Sequence, residues 1–209
     1  MHLAAIFETW HIGDGNYPPL RTNQLVNLSF EFQPDSLSNL SSSNEDKFEQ
    51  IVDAEYSFAG TVLKRYLDPP DSHIVVIQAA GFRFYINSIP KGSPVLREGD
   101  KCQGRGRLLF DHYIWVEFLS GYKDPPDLFY RLRVIRLRSV KISEKFISRY
   151  PTGMSGPASL DHENYSGADI SEVERMENDD EDWRFFLVDF DDSDVGTAAI
   201  PLTFHGRAT

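Results

Sequence analysis

Four arginines in one short segment are the side chains of this sequence best suited to chemistry. They lie in Tyr130-Arg131-Leu132-Arg133-Val134-Ile135-Arg136-Leu137-Arg138. On a strand, alternation puts Arg131 and Arg133 on one face and Arg136 and Arg138 on the other. Two adjacent apolar residues, Val134 and Ile135, separate the pairs. A β-bulge there would return all four guanidiniums to one face. Such a row repels itself unless anions meet it, and the forked donors suit phosphates or carboxylates. Arg105 and Arg107, with Lys101, stand on a strand expected to lie beside it. Tyr85 and Trp115 belong to the same set of strands, as do Phe82, Phe84, Tyr113 and Tyr130. A basic groove with stacking aromatics is how small barrels hold single-stranded nucleic acid. The competing expectation is that the arginines pair with the chain's own carboxylates and the aromatics fill an ordinary core.

Other chemistry is sparse. The six histidines form no His-x-His or His-x-x-x-His pair, so no metal site is expected. Asp111-His112 reads as the tip of a hairpin, where neighbouring side chains face opposite ways. Cys102 is the single cysteine, so no intrachain disulfide forms, and a buried inert thiol is expected. Gly153-Met154-Ser155-Gly156 is not a nucleophile elbow. Gly13-Asp14-Gly15 and Gly104-Arg105-Gly106 are not phosphate loops, because no helix follows either. Asp68-Pro69-Pro70-Asp71 recurs as Asp124-Pro125-Pro126-Asp127, and proline-rich turns account for both. No catalytic residue and no cofactor is expected.

Charge along the chain is uneven. The net charge is −11, made of −5 over residues 1–50, +5 over 51–150 and −11 over 151–209. A basic middle beside an acidic tail is compatible with an anionic ligand that the tail screens. The tail holds Asp179, Asp180, Glu181 and Asp182, then Trp183, Phe185, Phe186, Leu187, Val188 and Phe190. So apolar a cluster either docks as a strand or serves as a partner-binding motif. Asp189-Phe190-Asp191-Asp192 and Ile200-Pro201-Leu202-Thr203-Phe204 together resemble the acidic, Phe-ended tip of bacterial single-stranded DNA-binding proteins. The resemblance covers nine of the 209 residues, interrupted by residues 193–199. It implies a segment that recruits partner proteins and competes with DNA for a basic barrel.

These residues need elements to position them. Apolar residues make up 41% and aromatics 13%, enough for a sizeable core. No run approaches the roughly 20 apolar residues that span a bilayer, and no basic leader opens the chain. A soluble, cytoplasmic protein is expected. Strands are predicted over 2–12, 25–33, 57–66, 73–78, 82–87, 101–110, 113–119 and 128–141. In 25–33, Val26, Leu28, Phe30 and Phe32 face inward and Asn27, Ser29, Glu31 and Gln33 face water. Ala79-Ala80-Gly81 makes a tight hairpin turn. Ser43 to Val52 reads as a short helix, and Asp169 with Glu172 as the capping box of another. The fold class is mainly β: an antiparallel meander closing into a small OB-like or SH3-like barrel, with one or two short helices and an acidic C-terminal extension. Residues 1–50 form N-terminal strands and a loop that join the barrel or flank it; 51–150 form the barrel; 151–209 form the extension.

The expected function is a non-enzymatic binding module for single-stranded nucleic acid or a protein partner, with no membrane association. Two alternatives remain: an acidic inhibitor resembling an immunity protein, or an enzyme with a dispersed site. Ligand and oligomeric state stay open.

Overall fold

The computed structural model describes residues 2–8, 12, 17–40, 45–68, 72–111, 113–142, 165–173 and 184–191. The architecture is mainly β, as expected. Its centre is a ring of five strands: β4 (Phe30–Asn39), β6 (Glu55–Asp68), β7 (Ser72–Ala79), β8 (Phe82–Ile86) and β9 (Lys101–Phe110). The strands β6, β7 and β8 form an antiparallel meander. β9 lies antiparallel between β6 and β4. A short parallel contact, Glu31 beside Tyr85, joins β4 to β8 and closes the ring. An OB barrel is a three-strand meander followed by two closing strands, the last parallel to the third. Here the same adjacencies occur with that parallel strand placed first.

The sequence explains the closure. Ala80 and Gly81 both take positive φ, 49° and 81°, as a two-residue I′ hairpin requires. On β9, a methyl added at Gly104 would meet the Phe58 ring and the Ser36 carbonyl, and one at Gly106 would meet the Gln33 carbonyl. β9 therefore approaches β4 closely where β4 carries a bulge between Pro34 and Ser36. The interior is aromatic: Phe32, Phe58 and Phe84 pack with ring centroids 5.1–5.2 Å apart.

A second layer flanks the ring. β1 (His2–Phe7) touches β9 in parallel at Ile6 and pairs antiparallel with β13 (Arg184–Asp191). β13 pairs in turn with β10 (Tyr130–Ile142). β3 (Leu25–Leu28) and β11 (Tyr165–Ile170) line the far edge of β10. A two-stranded clip, β2 (Leu20–Arg21) with β12 (Glu172–Val173), completes it. Phe190 bridges the layers, stacking edge-on against Phe30 and Phe110 at 6.1 and 6.0 Å. Residues 1–50 thus supply β4 to the ring and β1 and β3 to the flank, and the arginine strand lies outside the ring.

Three expected elements differ. Residues 113–117 form a helix, α1 (Tyr113–Glu117), not a strand. Asp111 Oδ1 accepts the Tyr113 N–H at 2.6 Å, starting a turn that the β-formers alone do not suggest. Lys47–Val52 form β5, not a helix, because Asp53 at φ 44° turns the chain back onto β6 and Phe48 stacks on Tyr56 at 4.7 Å. Asp169 and Glu172 cap no helix; they lie on β11 and β12, bonded to Arg136 and Arg21. The expected helical turn over 143–150 lies outside the described residues.

Candidate anion-binding face

The bulge is present. Val134 pairs with Phe190 and Arg136 with Asp189, leaving Ile135 as the extra residue. Leu132, Val134 and Leu137 consequently fill the core at 0% exposure. Arg131, Arg133, Arg136 and Arg138 all point outward, Arg131 and Arg136 being exposed and the other two half-buried. The Thr22–Asn23 turn pins this geometry. Asn23 N–H donates to the Val134 carbonyl at 2.7 Å, and Val134 N–H to the Gln24 carbonyl at 2.9 Å.

The four guanidiniums are not equivalent. Arg138 is neutralised, donating to Asp53 at 2.7 Å and Asp189 at 2.9 Å. It ties the β5–β6 turn to the second layer. Arg136 donates one bond to Asp169 at 2.8 Å, and both partners are more than half exposed. Arg133 donates to the Asn23 carbonyl at 3.1 Å and lies opposite Asp191. Arg131 forms no ion pair with a described residue. The expected internal pairing thus holds for Arg138, partly for Arg136, and leaves the Arg131 end open.

Other expected site residues do not join this face. β13 and β1 stand between β10 and β9, so Arg105 and Arg107 are not on an adjacent strand. Arg105 pairs with Glu55 at 3.1 Å, Arg107 is buried, and Lys101 pairs with Asp46 at 2.6 Å. Tyr85 is fully buried, its hydroxyl donating to the Asp111 carbonyl at 3.1 Å, so it cannot stack on a ligand. Trp115 is half-buried on α1, its Nε1 donating to the Pro126 carbonyl at 2.8 Å and its ring edge-on to Phe129. Phe82, Phe84 and Tyr130 belong to the core. The reason is geometric: the outer face of β7 and β8 is already covered. Leu119 and Leu128, with Ile114 and Trp115, pack on Tyr66, Ile74, Val76 and Tyr85. The second Asp-Pro-Pro-Asp turn holds this cover, since the Asp124 carbonyl accepts from the Tyr66 hydroxyl.

Asp179, Asp180, Glu181, Asp182 and Trp183 lie outside the described residues, as do His11, His112, His162 and His205. Phe185 falls within β13. That strand sits between β1 and β10 with Phe186, Leu187, Val188 and Phe190 buried, so the apolar cluster docks as a strand. The Asp189 and Asp191 of the DNA-binding-protein-like tip are accordingly part of the sheet. Cys102 is buried and its thiol is pushed up to about 12 by desolvation, which leaves it inert. Among the described residues no group of three His, Cys, Asp or Glu could hold a metal ion. No described helix is long and apolar enough to cross a membrane.

One pair went unseen in the sequence. Glu31, expected on a wet face, is 7% exposed, and Asp111 is 9% exposed. Burial, then the nearby Asp111 and Glu8 charges, push the Glu31 carboxyl up to about 8. Desolvation lifts Asp111 to about 6 against the Tyr113 N–H bond. Ser29 Oγ and the Tyr85 hydroxyl both donate to the Asp111 carbonyl, closing the pair in. Two carboxyls with separated titrations are a signature of acid–base sites; this pair lies buried in the fold beside the start of α1. Alternation could not reveal it, because the outer side of β4 is covered by distant segments.

No protein-family profile matches this chain, and no curated protein or solved structure is similar to it, so the reading of the face rests on its geometry.

Proposed function

We propose that the protein is a non-enzymatic binding module that holds single-stranded nucleic acid along the outer face of β10. The observation that carries this reading is the bulge at Ile135: it aligns the arginines on one face, at whose exposed end Arg131 forms no ion pair with a described residue. Arg131, Arg133 and Arg136 are the binding residues. Arg138 is a structural ion pair and does not contribute. The acidic run Asp179–Asp182 acts as a tethered competitor that screens the face at low salt. A single buried thiol accords with a reducing compartment such as the cytoplasm.

The test is fluorescence anisotropy of labelled single-stranded DNA and RNA against the full chain across a salt series. Arg131→Ala with Arg133→Ala should weaken binding at least tenfold at low salt and flatten its salt dependence. Unchanged binding in that variant would remove the face from the mechanism. Replacing Asp179, Asp180 and Asp182 by Asn and Glu181 by Gln should tighten it. The full chain is needed, because ending it before β11 would strip β13 from between β1 and β10.

A further inference from the structure

We infer that the β10 face takes the phosphates of a linear chain and is blind to base and sugar. This rests on the reading above and names what is recognised. Arg131 and Arg133 are two residues apart on a strand, and Arg133 and Arg136 face Asp191 and Asp189, also two apart. The bulge therefore makes Arg131, Arg133 and Arg136 recur at one step of about 6.6–6.8 Å, a row spanning about 13 Å. An extended single strand presents its phosphates at a comparable step. The row ends at Arg138, which Asp53 and Asp189 already neutralise.

What flanks the row is as informative. Leu25, opposite Arg133, is 39% exposed and Ile135 is 36% exposed, both aliphatic. Tyr130, the aromatic of this strand, is in the core, as is Phe190 opposite Val134. Among the described side chains the face carries no exposed ring on which a base can stack, and base stacking is what lets single-strand binders sense the base. The guanidinium forks are matched to phosphate oxygens, and the exposed Arg136–Asp169 pair is weak enough to exchange for one.

Three phosphate contacts predict a salt slope of about −2 for log K against log salt, and affinity in the range of about 10⁻⁴–10⁻⁶ M. The experiment compares labelled oligo-dT with an abasic oligodeoxynucleotide of equal length, using the full chain. Inorganic polyphosphate and polyglutamate serve as competitors. The abasic strand should bind within about threefold of oligo-dT, and polyphosphate should displace both at equal phosphate concentration. Polyglutamate should need at least tenfold more. An abasic strand bound more than tenfold weaker, failure of polyphosphate to displace, or equal displacement by polyglutamate would each overturn the inference while leaving the nucleic-acid reading standing. No binding of any probe at low salt would overturn both. Thermal melting of Arg131→Ala/Arg133→Ala, unchanged from the parent, confirms that lost binding is not lost folding.

Discussion

The ring and the flanking sheet handle their charge in opposite ways. In the ring, Arg105 and Lys101 meet Glu55 and Asp46, and Arg107 is buried. Every phenylalanine of the ring strands faces inward, and α1 with the 119–128 segment covers the outer side of β7 and β8. The flank, gathered from residues 2–7, 25–28, 130–142, 165–170 and 184–191, also buries Phe7, Tyr130, Phe186 and Phe190 but leaves Arg131 and Arg136 in water. The ring is thus closed on both sides of its meander, whereas the flank has one side packed and, among the described residues, one side exposed at Arg131 and Arg136. The proposed binding role falls on that exposed side, even though small barrels more often bind on the ring itself.

The largest expected effect tests whether the two regions are one folding unit. Phe84→Ala in the ring and Phe190→Ala in the flank should each lower stability by about 3–5 kcal/mol. Phe190 packs against Phe30 and Phe110 of the ring, so both variants should melt in a single transition. Two separated transitions in Phe190→Ala would show that the flank is an independent layer.

The buried carboxyls give the next effect, and its sign opposes ordinary acid denaturation. Glu31 and Asp111 bind protons more tightly folded than unfolded. Their stabilisation is complete below about pH 4 and is lost as pH rises through about 6 for Asp111 and about 8 for Glu31. Each ionising group contributes a slope of up to about 1.4 kcal/mol per pH unit in its window. Urea denaturation at pH 5 and pH 8 should show the chain less stable at pH 8. Glu31→Gln should remove much of that difference and stabilise the protein at pH 8 by a few kcal/mol. A variant with the parent's pH profile would mean that Glu31 is solvated.

A smaller effect sits at the junction. Arg138→Met removes the cation that Asp53 and Asp189 share, at about 20% side-chain exposure, and should cost about 2 kcal/mol. Asp53→Asn in that background should recover part of the loss; a purely additive loss would deny the coupling. Smallest of all, Arg131→Ala should change stability by less than about 0.5 kcal/mol, since the residue is exposed and forms no ion pair with a described residue. A larger loss would make the residue structural and weaken the contrast between the regions.

Much of the fold was legible residue by residue. Alternation placed Phe30 and Phe32 inward, Gly81 marked its hairpin, and Gly104 and Gly106 marked the tight approach of β9. The adjacent Val134 and Ile135 announced the bulge and hence the common face of the arginines. Tyr85 and Trp115 were legible only as aromatics of the barrel region, because exposure is decided by whatever covers a strand. The same holds for Arg105 and Arg107, whose distance from β10 depends on two strands drawn from opposite ends of the chain.

The sequence by itself therefore determined the local grammar: which segments extend, where they turn, and which side chains share a face. Backbone sterics and alternation act over a few residues, so a few residues suffice to read them. Only the tertiary structure decided which faces meet water. It closed the ring with β4, turned Tyr113–Glu117 into a helix over the meander, buried Glu31 and inserted the Asp- and Phe-rich β13 beside the arginines. Each of those outcomes is a contact between segments far apart in sequence, and no local pattern records its partner.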